Sequence, residues 1–91
     1  MKCVKSGNVT VKGQTNAIVS LSGLGFSSRQ DFIVILSGAG YTSNSAGGNA
    51  NSLSTCIIDE TATNANQLSI KMRFGTDSFT CEVSYQIISL I

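Results

Sequence analysis

The chain has 91 residues, 42% of them hydrophobic and 12% charged, with a formal net charge of +1, three cysteines and no histidine or proline. That length allows one domain, residues 1–91, whose core buries only about 60–65% of the surface its unfolded chain exposes, so disulfides, a metal or oligomerisation would be needed to add stability. Near-neutral charge with scattered Lys and Arg excludes the basic field of a nucleic-acid binder, and no apolar run reaches the roughly 18–20 residues of a helical membrane span.

The opening, MKCVKSGNVTVKG, lacks the hydrophobic core of an export leader. Within it VTVKG alternates from Val9 to Val11 and predicts a first strand. The run AIVSL then sets Ala17, Val19 and Leu21 on one face. GLGF adds Leu24 and Phe26, its glycines 23 and 25 permitting a bulge or a close backbone approach. SSRQD reads as a surface turn, short enough to connect strands at one end of a sandwich, and the break predicts an antiparallel neighbour rather than a parallel one. DFIVILS restarts with Phe32, Val34 and Leu36 on one face and Ile33 and Ile35 on the other.

From 38 to 54 the chain reads GAGYTSNSAGGNANSLS, which holds no core-forming pattern and is expected to be a loop. TCIID is a short strand, and DETATNANQ a loop with at most one turn. In QLSIKMRF, Leu68, Ile70, Met72 and Phe74 point one way and Ser69, Lys71 and Arg73 the other. GTDS turns the chain into FTCEVSYQIISLI, with Phe79, Cys81, Val83, Tyr85 and Ile87 inward. No window carries a helical apolar stripe over three turns. Six to seven strands with Gly- and Ser-rich turns read as an all-β fold, an antiparallel β-sandwich or barrel.

The last strand departs from simple alternation. Thr80, Glu82, Ser84 and Gln86 form a solvated face, yet Ile88 and Leu90 then appear on that same face beside Ile87 and Ile91. Ile33 and Ile35 repeat the pattern. Either loops fold over these residues or sister copies do. An apolar patch of this kind marks an interface, so Ile33, Ile35, Ile88, Leu90 and Ile91 are the expected oligomer contacts. Thirteen residues at about 3.3 Å each also imply a bend or an elongated subunit.

Catalytic equipment is sparse. Without histidine the commonest general base and metal ligand is missing, and Asp59 and Glu60 are adjacent, so a strand would point them apart. There is no GxSxG, no CxxC and no phosphate-loop glycine spacing. A non-enzymatic protein with no metal and no cofactor is expected. Cys3, Cys56 and Cys81 cannot all pair within one chain; Cys56 and Cys81 sit in apolar runs and read as buried thiols, with one disulfide as the alternative.

Binding chemistry has more candidates. Tyr41 among Ser, Asn and Gly resembles the composition of adaptable recognition loops, and Asn44, Asn49 and Asn51 offer donors and acceptors to sugar hydroxyls. The competing explanation is a linker with Tyr41 packed on the sandwich. Thr61, Thr63, Asn64 and Asn66 carry the same chemistry. Lys71 and Arg73 are either solvated or line a ligand groove. Asn8-Val9-Thr10 fits a glycosylation sequon.

Residues 7–38 and 68–91 together have a recognisable cadence: a GxVTV-like strand, then IVSLSGLGFSSRQDFIVIL, then a Tyr- and Ile-rich terminal strand. This resembles the C-terminal receptor-binding or head domains of bacteriophage and prophage tail fibres, with Gln30 standing where the family pattern places proline. The resemblance implies a homotrimeric β-sandwich similar to H-type lectin modules. It implies a fibre-tip protein of the virion, assembled in the bacterial cytoplasm and acting extracellularly on a host cell-surface polysaccharide or protein. A structural baseplate or capsid-decorating protein and a free-standing lectin are the alternatives.

Overall fold

The computed structural model describes residues 1–43, 56–73 and 79–91, with 38–43 and 79 given by backbone alone. Six strands are described: β1 (Lys2–Lys12), β2 (Ala17–Ser20), β3 (Phe32–Ser43), β4 (Cys56–Ile58), β5 (Gln67–Met72) and β6 (Phe79–Ser89). They form two antiparallel three-stranded sheets, ordered β1-β6-β3 and β2-β5-β4. The expected all-β sandwich is what the chain builds. Its extents of 46 × 21 × 17 Å also match the elongated subunit expected from the long last strand.

The core lies between the sheets, where alternation delivers one side chain in two. From β6 come Cys81, Val83, Tyr85 and Ile87; from β5, Leu68, Ile70 and Met72; from β1 and the segment after β2, Val11 and Leu21, all buried. Phe32 opens β3 and is buried, while Val34 and Leu36 pack partly buried against the same cluster. Full burial of such side chains stabilises by about 1.5–3 kcal/mol each before chain entropy is subtracted.

Three expectations need correction. The first strand begins at Lys2 rather than near Val9, because β6 is long enough to pair with it from Ser89 to Thr80. β2 and β3 are not neighbours: β2 pairs with β5 and β3 with β6, so residues 21–31 cross from one sheet to the other. Third, β3 continues through GAGYTS, where Gly40, Tyr41, Thr42 and Ser43 have Glu82, Cys81, Thr80 and Phe79 as backbone partners after a register shift. Backbone hydrogen bonding to a long partner strand overrides a composition that signals loop. Residues 44–55, which hold the rest of that expected loop, and Phe74 and Asp77 lie outside the described residues.

The crossing from β2 to β3 answers why the chain breaks at GLGF. Gly23 and Gly25 both take φ of +86°, a left-handed conformation that L side chains rarely adopt. Nothing lies within 4 Å of a Cβ built on either, so the glycines serve backbone conformation and not a close approach. Ser28 then caps a single 3-10 turn, Arg29–Asp31. Its hydroxyl accepts from the Gln30 amide at 3.1 Å, and Asp31 Oδ2 accepts from the amides of Ser27 and Ser28 at 2.7 and 3.2 Å.

Close approach does matter at Gly7. It faces Tyr85 across the β1–β6 pair, and a Cβ there would stand 2.9 Å from the tyrosine hydroxyl and 3.1–3.2 Å from its ring. Elsewhere β1 carries Lys2, Lys5 and Lys12, and the Lys5 ammonium donates to the Ser20 carbonyl at 2.8 Å, tying the two sheets along the β1/β2 flank.

Candidate functional site

The outward face of the β1-β6-β3 sheet is polar at one end and apolar at the other. Along β6, Glu82 is paired with Thr10, and Ser84 with Asn8 and Ser37; the Ser84 hydroxyl donates to Asn8 Oδ1 at 2.6 Å. Further along, Gln86 lies between Ser6 and Ile35, and Ile88 between Cys3 and Ile33. Cross-strand pairing therefore sets Ile33 beside Ile88, with Ile35 one row away. Ile33 is 44% exposed, Ile35 45% and Leu90 46%, while Ile91 is 72% exposed and Ile88 half-buried. No loop among the described residues covers them. Branched apolar side chains at neighbouring positions on an open sheet face form a compact patch rather than scattered greasy residues.

This end of the sheet is held firmly. The Leu90 amide donates to the Asp31 carbonyl at 2.8 Å, fastening the end of β6 to the capped turn before β3. Ser89, inward and buried, donates its hydroxyl to the Ile91 carbonyl and accepts from the Ile91 amide, at 3.1 and 3.2 Å. Arg29 braces the turn from outside. Its Nε and Nη2 donate to the two carboxylate oxygens of Glu60 at 2.9 and 3.1 Å, and its Nη1 to the Phe32 carbonyl at 2.8 Å. The guanidinium also lies 4.7 Å from the centroid of the Phe32 ring, which stacks on Phe26 at 4.7 Å.

A second cluster covers the outward face of the β2-β5-β4 sheet. Asp59 Oδ1 accepts from the Thr61 hydroxyl and amide at 2.7 and 3.2 Å, and its Oδ2 accepts from Asn16 Nδ2 at 2.8 Å. The Thr61 hydroxyl, then the Asn16 amide, hold this carboxyl below its ordinary value of 3.8, with Lys71 adding a smaller attraction from 4.0 Å. The same Asn16 amide donates to Ser69 Oγ at 2.9 Å. Thr63 is buried, donating to the Asp59 carbonyl at 2.9 Å and accepting from the Ser69 amide at 3.0 Å. Ser69, expected on the face opposite Leu68 and Ile70, is fully buried, with its hydroxyl accepting from Asn16 and its amide donating to Thr63.

The expected ligand residues fare unevenly. Lys71 is on β5, beside Asp59, and exposed Arg73 follows that strand. Tyr41 belongs to β3 of the opposite sheet, with Cys81 as its backbone partner. Asn44, Asn49 and Asn51 lie outside the described residues. Thr61 and Thr63 are engaged by Asp59 and Ser69, and Asn64 Oδ1 accepts from the Asn66 amide at 2.8 Å. The 59–67 loop is thus internally bonded. Sequence reasoning overlooked Asn16 and the Arg29–Glu60 clasp. Asp59-x-Thr61 and Ser28-x-x-Asp31 were the readable signals for local turns; the long-range partners had none.

Among the described residues no cavity opens, and no three acidic or cysteine side chains gather as metal ligands. Comparison with protein-family models, with curated proteins and with solved structures finds no match to this chain.

Proposed function

We propose that this chain is a non-enzymatic adhesion module, the head of a phage-type tail fibre, which assembles as a homotrimer and binds a host cell-surface polysaccharide. The observation that carries the assembly half of this reading is the apolar end of the β1-β6-β3 sheet, where Ile33, Ile35 and Ile88 share an outward face and exposed Leu90 follows the end of β6. Further copies of the chain are the occupants that suit it, since equivalent patches gathered about a three-fold axis shield one another and the polar end beyond Gln86 limits how far the contact extends. The trimeric state, the fibre-tip placement and the glycan follow from the resemblance of residues 7–38 and 68–91. Three joined copies would meet a repetitive surface together, so each site can be weak.

Two measurements test this. Light scattering at low concentration should give three times the chain mass; a monomer removes the assembly reading. A glycan array should then show binding by the wild type that Tyr41→Ala abolishes. A trimer that binds no glycan would instead favour a structural virion protein.

A further inference from the structure

Cys81 is fully buried on the inward face of β6, and half-buried Cys56 opens β4 on the opposite sheet. Their Sγ atoms stand 2.7 Å apart. Closing a disulfide of about 2.05 Å therefore needs movement well under an ångström. Cys3, the third cysteine, is exposed near the start of β1, its thiol donating to the Lys5 carbonyl at 3.6 Å.

We propose that Cys56 and Cys81 form a disulfide joining the two sheets, made by exchange with a low-molecular-weight disulfide such as glutathione disulfide. The Cys56 thiolate attacks one glutathione sulfur, expels the other as a thiolate and leaves a mixed disulfide. Cys81 then gives up its proton, its sulfur attacks Cys56 Sγ, and the second glutathione leaves. Two cysteine thiols are oxidised, one glutathione disulfide is reduced to two thiols, and the two protons end on the leaving groups or solvent.

The fold gives this bond a mechanical purpose. β4 is a three-residue edge strand held to β5 by the pairs Cys56–Met72, Ile57–Lys71 and Ile58–Ile70. It is the shortest strand described, and the bond would fasten it to the central strand of the other sheet. In the folded, reduced protein, burial and then the neighbouring Cys81 thiol push Cys56 up to about 12. Its thiolate is scarce at neutral pH, so exchange proceeds faster while the chain is unfolded, where the thiol ionises normally. The inference does not depend on the tail-fibre reading.

The test uses the full chain with Cys3→Ser, refolded in a glutathione redox buffer, then unfolded and alkylated. The expected product is two hydrogens lighter than the reduced chain, takes up no alkyl group, and yields one linked peptide pair containing positions 56 and 81. Its melting temperature should exceed that of the reduced form by roughly 10–20 °C. Cys56→Ser should erase that gap. Oxidation during refolding should outpace oxidation of the folded, reduced protein. Two alkyl groups after oxidising refolding, or a persistent glutathione adduct on Cys56, would overturn the proposal. Should Cys3→Ser misfold, peptide mapping of oxidised wild type decides, and a bond to Cys3 refutes it.

Discussion

Single residues fix this structure at places where side-chain chemistry and geometry leave little slack. Gly7 is one: the 2.9 Å approach of Tyr85 leaves no room for a methyl group. Gly7→Ala is expected to cost about 1–3 kcal/mol, read as a lowered urea midpoint at unchanged slope. Tyr85→Phe in that background should recover part of the loss, since the hydroxyl is the nearest atom. Asp59 is another. Its folded carboxyl titrates below its ordinary value, so the folded state binds fewer protons than the unfolded one in the acid range. Its contribution is complete above the unfolded value, near pH 4, and disappears as pH falls through the lower folded value. Urea midpoints measured from pH 6 down to 2 should show this loss, and Asp59→Asn should flatten it. The Asp59-x-Thr61 turn was open to a sequence reader; the burial of Ser69 was not, because period-two alternation says which face a residue takes but not whether that face is solvated.

At the level of elements, the existence of the strands was legible, whereas the full lengths of β1 and β3 and the pairing of the strands were not. Phe32, Val34 and Leu36 against Ile33 and Ile35 could be sorted by alternation alone, as could Leu68, Ile70 and Met72. Nothing local distinguishes a β2 that pairs with β3 from one that pairs with β5, since pairing is decided by packing over the whole core. The connection between those strands is where an element-scale experiment has most leverage. Ser28→Ala should destabilise by about 1 kcal/mol through loss of the cap. Glu60→Gln, which weakens an ion pair whose carboxylate is largely exposed, should fall within about 0.5 kcal/mol of wild type. Arg29→Ala should cost more than Glu60→Gln, because it also removes the bond to the Phe32 carbonyl and the contact with the Phe32 ring. Equal losses for the two variants would mean that Arg29 acts through Glu60 alone.

For the molecule as a whole, the doubly apolar end of the last strand was the feature most clearly written in the sequence. Ile88→Asp sets a charge into the outward patch and, for the proposed trimer, should reduce the mass in solution to that of one chain. Lys71→Ala, on the other sheet, should leave the mass unchanged. Retention of the assembly by the Ile88 variant would move the interface elsewhere. The residues expected to bind a ligand were far less legible. Tyr41 is carried by a strand that composition hid, and Lys71 has a carboxylate neighbour.

The distribution of lysine along the sheet borders has a further consequence. β1 has three ammonium groups along its length, whereas β3, on the other border of the same sheet, has no charged residue, and β2 and β4 are only four and three residues long. Charge and shortness are two of the guards against unwanted ribbon growth, and β3 has neither, the register shift between Ser37 and Gly40 being its one interruption. Misassembly by strand addition would therefore start on that one flank, and joining β3 to β3 consumes both growth sites at once. Such a by-product is a self-limiting pair, not a filament.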